Sequence, residues 1–185
     1  DNQKNLEDFK AGKISYLEFM KRDIALWKKK WGDEVTMEVV QKALCRIEPR
    51  PEAFKLISPM REKGYEKIGI VSGGIKCLAE KIALELELDF CLANGFTTKK
   101  KNGKEVIMGP DYKFDFSKKG KVVKDLVEEF KISTEQIVTV GDSVFDIDMF
   151  RVGKGIAFNP KNDEVEQAAD ETVEGNDLTE LIEYI

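Results

Sequence analysis

Apolar residues at Leu6, Phe9, Ile14, Leu17, Met20, Ile24 and Trp27 recur at roughly helical spacing, so residues 1 to about 45 read as helices broken at Gly12 and Gly32. From about residue 50 the rhythm changes. Pro51 can open a helix that runs to Lys63 and closes at Gly64. A short apolar run then predicts a buried strand over Ile68–Val71, followed by a helix over Ile75–Leu86 and a second strand over Phe90–Ala93. Asn102-Gly103, flanked by Lys101 and Lys104, is a two-residue turn signal that predicts a hairpin over 94–109. The remainder alternates: helix 119–131, strand Ile137–Val140, helix 144–151, strand 155–158, helix 163–169, a short strand near Thr172 and a last helix over 177–184. Strands alternating with helices imply an α/β fold with a mostly parallel, doubly wound sheet. Ligands on such sheets bind beyond the carboxyl ends of the strands.

Composition narrows the chemistry. The 185 residues suit one domain, or one with a small insertion, and 42% hydrophobic residues allow a substantial core. The formal charge of −5 argues against nucleic acid or an anionic membrane as the main partner. The chain has no apolar run long enough to span a bilayer and no signal-peptide pattern, so a soluble, cytoplasmic protein is expected. Cys45, Cys77 and Cys91 form no CxxC pair and fit buried, reduced thiols. The decisive count is zero histidines. It removes Ser-His-Asp and Cys-His mechanisms and His-ligated zinc or iron. Hydrolytic chemistry then rests on carboxylates, lysine, hydroxyls, backbone amides and a hard metal ion.

Three segments hold such groups. Ser72-Gly73-Gly74 lies between a predicted strand and helix, where amide N–H groups can cradle an anion; an ordinary tight turn with Ser72 as N-cap is the plainer reading. In Gly141-Asp142-Ser143-Val144-Phe145-Asp146-Ile147-Asp148, the four-residue spacing of Asp142 and Asp146 aims two carboxylates at one point. Such a pair calls for a cation, and without histidine the natural one is Mg²⁺. Acids favoured by a helix N-terminus are the alternative, and Asp148 is expected to face solvent or serve as a cap. Ser117-Lys118-Lys119-Gly120-Lys121 sets lysines at a helix start, which a local anion explains, as does a solvated charge run.

The order Ser-Gly-Gly, then Lys-Gly, then Gly-Asp-x-x-x-Asp resembles motifs two, three and four of the HAD phosphatases, most closely the phosphoserine phosphatases. The resemblance continues through Gly155-Ile156-Ala157-Phe158-Asn159-Pro160 and Asp177-Leu178-Thr179-Glu180-Leu181, and it takes in Ala93-Asn94 and Gly12-Lys13-Ile14. It implies a HAD-like, Rossmann-type sheet with a helical cap (residues 1–47), a core (48–185) and a hairpin flap. It further implies a Mg²⁺-dependent phosphomonoesterase that forms an aspartyl-phosphate on a small-molecule phosphate ester. By the same resemblance Ser72 and the Gly73 amide bind the phosphoryl group and Lys119 neutralises it, with Lys118 and Lys121 as fallbacks. Asp142 ligates Mg²⁺, and Asp146 stands behind it or ligates through water. Tyr16, Phe19, Arg22 and Trp27 are candidate lining residues of the cap, core packing being the alternative.

The sequence departs from the family at three points. The first motif, Asp-x-Asp-x-Thr, which supplies the nucleophile, does not occur in it. Without the strand that carries it, Ile68–Val71 and Ile137–Val140 are expected to expose backbone, so a further N-terminal segment is expected. Asp23, beside Arg22, falls where phosphoserine enzymes carry a carboxylate-gripping arginine, which argues against phosphoserine unless Arg22 substitutes. Phe145 replaces a residue that is often polar. A HAD phosphotransferase or mutase, and a non-catalytic phospholigand-binding domain, are the rival readings, with an unrelated flavodoxin-like fold behind them.

Overall fold

A computed structural model describes residues 2–44 and 46–185, and Cys45 lies outside them. The helical rhythm of the first segment resolves into α1 (Asn2–Lys10), α2 (Tyr16–Trp31) and α3 (Met37–Leu44). Ser15 caps α2 by accepting the Glu18 N–H, and Gly12 and Gly32 adopt the positive φ that ends each preceding helix. The chain continues as α4 (Pro51–Glu62), β1 (Gly69–Ile75), α5 (Lys76–Glu85), β2 (Phe90–Lys101), β3 (Lys104–Asp111), α6 (Lys119–Phe130), β4 (Val138–Gly141), α7 (Ile147–Phe150), β5 (Lys154–Phe158), α8 (Asp163–Ala168) and β6 (Glu171–Val173).

Three expectations are corrected. Ser72-Gly73-Gly74 is not a turn; β1 runs through it to Ile75. Neither glycine has a positive φ, so neither marks a reversal. Helix α7 is a single turn with Asp146 as its N-cap, not a helix beginning at 144. The closing segment Leu178–Glu183 is a 3₁₀ helix.

The strands form two three-stranded sheets, ordered β1-β2-β3 and β4-β5-β6. The second is parallel throughout, as the alternation requires. β2 and β3 are the expected hairpin, closed by the Lys101–Lys104 pair. Asn102 and Gly103 both hold positive φ, at 50° and 77°, the conformation that an Asn-Gly hairpin turn selects.

Packing divides the chain into two units. One comprises Asp1–Glu48, Ser72–Glu85 and Cys91–Asp115; the other comprises Pro49–Val71, Leu86–Phe90 and Phe116–Ile185. In the first, Ile24, Val35, Val40 and the fully enclosed Ile107 form a core, and the Ile107 N–H donates to the Val35 carbonyl at 2.8 Å. Truncating Ile107 would cost about 2–5 kcal/mol. Aromatic packing also claims the candidate lining residues: Tyr16 and Phe19 stack at 5.8 Å, and Trp27 meets Phe96 edge-on at 5.3 Å. In the second unit, Val123, Ile147, Met149, Phe150 and Val165 seat α6, α7 and α8 together, while Ile156, Phe158, Val173 and Leu181 form a second cluster.

Among the described residues no helix is long and apolar enough to cross a membrane. Cys77 and Cys91 are free thiols pushed up by burial.

Candidate active site

Lys119, Asp142 and Asp146 meet in the second unit. Asp142 follows the last residue of β4, at the carboxyl end where such sheets bind ligands, and Asp146 stands at the N-cap position of α7 without a side-chain cap bond to it. Lys119 opens α6 and its Nζ lies 2.6 Å from Asp146 Oδ1. The two side chains keep only 12% and 6% of their exposure, so each charge depends on the other. Asp146 Oδ2 accepts from the amides of Asp142 (3.1 Å) and Ser143 (3.0 Å) and from the Ser143 hydroxyl (2.8 Å). Burial alone would raise this carboxyl. The Lys119 ammonium, the Ser143 hydroxyl and the Asp142 amide outweigh it and hold the group below the usual carboxylate range.

Asp142 is more open. Its Oδ2 pairs with Lys161 at 2.7 Å, and the Lys161 amide donates to the Asp142 carbonyl at 2.9 Å, so the segment after β5 is tied twice to this residue. Sequence reasoning missed Lys161, which carries no motif signal. Phe145 packs on Phe116 with ring centroids 4.2 Å apart, giving the aromatic a packing role beside the acids.

The donor set bears on a metal ion. Among the described residues no three acids or cysteines cluster as a metal cage. Mg²⁺ does not need one, because it is held by one or two carboxylates together with water and substrate phosphate. Asp142, half-exposed, fits that arrangement. The oxygens of Asp146 are taken by Lys119 and the 142–143 segment, which suits it to holding the loop behind such an ion.

Ser72 and Gly73 belong to the first unit. Ser72 Oγ accepts the Gly74 N–H at 2.9 Å, a local bond in place of a helix cap, and the Gly73 carbonyl accepts from the Tyr16 hydroxyl. Burial pushes that phenol up to about 12, so Tyr16 remains a donor at any ordinary pH. In the same unit Asn94 is almost fully enclosed; it donates to the Phe114 carbonyl and accepts the Lys113 and Phe114 amides. Asp23 accepts from Asn2 at 2.5 Å and Asn5 at 2.9 Å, joining α1 to α2. Arg22, the possible substitute for a carboxylate clamp, pairs instead with Glu18 (3.2 Å) and Asp8 (3.3 Å).

The second unit also contains an apolar groove of about 460 Å³, lined by Ile68, Ile70, Val71, Leu126, Val138 and Val140 among others. β1 and β4 each end their own sheet and both line this groove. Val140, in the middle of a core strand, is 38% exposed. Apolar side chains and strand edges without a neighbour in the order are the marks of a sheet position left open.

Comparison with known proteins gives the family. The family model of haloacid dehalogenase-like hydrolases matches residues 3–153. A phosphoserine phosphatase of Methanocaldococcus jannaschii is 31% identical over 94% of the chain and 79% of its own length. One of Archaeoglobus fulgidus is 30% identical over 92% of the chain, which spans only 47% of that relative. A solved structure described as a phospho-aspartyl intermediate analogue of phosphoserine phosphatase superposes with a TM-score of 0.80 at 29% identity, covering 100% of this chain and 84% of that one. The chain belongs to the haloacid dehalogenase-like hydrolases and is, among them, phosphoserine phosphatase-like in sequence and fold.

Proposed function

We propose that the protein hydrolyses small phosphate monoesters through an aspartyl-phosphate. The observation that carries this reading is the enclosed Lys119–Asp146 pair beside Asp142 at the carboxyl end of β4. It sets one fixed cation and one accessible carboxylate where a phosphoryl group and its counter-ion would meet.

In this reading the nucleophile arrives on a strand bearing an Asp-x-Asp-x-Thr string that fills the groove between β1 and β4. The groove supports this by its apolar lining and by the two terminal strands beside it. A carboxylate oxygen attacks phosphorus, the ester P–O bond breaks, and the alcohol leaves with a proton from the second aspartate of the string. Water then cleaves the acyl-phosphate. Lys119 neutralises the phosphoryl oxygens and Asp146 fixes the ammonium. Mg²⁺, held by Asp142 with Asp146 behind it, would supply electrostatic stabilisation of the charge on phosphorus.

The substrate class is read more narrowly. With an acid at position 23 and Arg22 already paired with Glu18 and Asp8, a substrate carboxylate gains no free cation from these two positions. Esters of alcohols without a carboxylate are therefore the favoured substrates. The test is release of inorganic phosphate from a panel of monoesters by the full-length protein with Mg²⁺. Turnover lost in Lys119→Ala supports the proposal, whereas ester binding with no turnover at all points to the phospholigand-binding alternative.

A further inference from the structure

Helix α6 begins badly by local rules. Its N-cap, Lys118, makes no side-chain cap bond, its first turn holds no acid, and Lys119 and Lys121 put positive charge at the positive end of the helix dipole. The missing acceptor comes from elsewhere in the chain. Asp148, in the single turn of α7, accepts the Gly120 N–H through Oδ2 at 2.8 Å, in a partly buried contact. The two elements are pressed together there: a Cβ on Gly120 would lie 2.2 Å from the Asp148 carbonyl oxygen and 2.7 Å from Oδ2. One residue earlier, Lys119 Nζ is held by Asp146 Oδ1 at 2.6 Å. Successive residues of α6 are thus gripped by two carboxylates two positions apart, one on the ammonium and one on the backbone that carries it.

We infer that Asp148 is a positioning residue for Lys119: by capping α6 from α7 it sets where the Lys119 ammonium stands. The inference rests on the reading of Lys119 as the phosphoryl-binding lysine. Asp148 touches neither substrate nor metal in it. Its contribution follows from geometry, since a displacement of about 1 Å in a catalytic group can cost on the order of 10²-fold in rate.

The test is a double-mutant cycle on kcat for p-nitrophenyl phosphate with Mg²⁺, using the full-length protein, Asp148→Ala, Lys119→Ala and the double variant. Asp148→Ala should lower kcat roughly 10- to 100-fold, and should lower it no further once Lys119 is gone. Asp148→Asn, which keeps an acceptor oxygen for the Gly120 amide, should recover most of the loss; if the alanine variant does not fold, Asp148→Leu, similar in shape and without an acceptor, takes its place in the cycle. The same fold-loss in both backgrounds would assign Asp148 a general structural role and overturn the inference, as would wild-type kcat in a folded Asp148→Ala. Full kcat in Lys119→Ala would instead overturn the assignment of Lys119, and the inference with it.

Discussion

Lys119 Nζ and Asp146 Oδ1 stand 2.6 Å apart with both side chains nearly withdrawn from solvent, so the lysine that would meet the phosphoryl group is held by the acid that also organises the Asp142–Ser143 amides. One pair therefore joins catalysis and stability. Lys119→Ala should reduce kcat by about 10²–10³. Because it strands a buried carboxylate, it should also destabilise the protein by about 3–5 kcal/mol. Steady-state kinetics and urea unfolding of the same variant check both halves.

The same pair fixes an acid dependence. Asp146 in the folded protein lies below its ordinary value of 3.8, so its stabilising contribution is complete above that value and is lost as pH falls through the folded one. Unfolding free energies measured between about pH 2 and 5 should fall more steeply for the wild type than for Asp146→Asn. Parallel curves would remove the argument.

Much of this was legible in the chain itself. Alternation gave the strands and helices of the second unit, and Asn102-Gly103 gave the hairpin because both residues must hold positive φ. The Lys-Gly and Gly-Asp-x-x-x-Asp motifs named Lys119, Asp142 and Asp146, which do converge in the second unit, whereas the Ser72 and Gly73 of the remaining motif belong to the first. Glycine misled at Ser72-Gly73-Gly74, where a turn signal lies in extended strand, and the four-residue α7 is too short for periodicity to mark its start. Asp148, expected to face solvent or serve as a cap, does act as a cap, but the helix it caps was not foreseen, and Lys161 was missed altogether. Each acts on a residue distant in sequence, Asp148 on Gly120 and Lys161 on Asp142, and no local pattern records such a tie.

Lys161 puts a cation 2.7 Å from the carboxylate proposed to receive the metal, in an exposed pair. Metal binding has to displace it, so Lys161→Ala should tighten Mg²⁺ or Mn²⁺ binding by about three- to fivefold, the scale of an exposed ion pair. Isothermal titration of the protein without substrate measures this directly. Weaker binding in the variant would show that Lys161 supports the site rather than competes for it.

Asp23 should act on selectivity. Asp23→Asn removes the negative charge while retaining an acceptor for Asn2 and Asn5. It should lower KM for phosphoserine severalfold and leave KM for p-nitrophenyl phosphate nearly unchanged. Equal changes for both esters would mean that Asp23 only joins α1 to α2.

In the proposed reaction a carboxylate of this protein carries the phosphoryl group between ester and water. The most direct test is to quench the full-length protein in the first turnover with a phosphate monoester and Mg²⁺, and to trap the acyl-phosphate with hydroxylamine. The expected result is a single aspartyl hydroxamate within an Asp-x-Asp-x-Thr segment, formed with the phosphate burst and much reduced in Lys119→Ala. Turnover without any hydroxamate would contradict it.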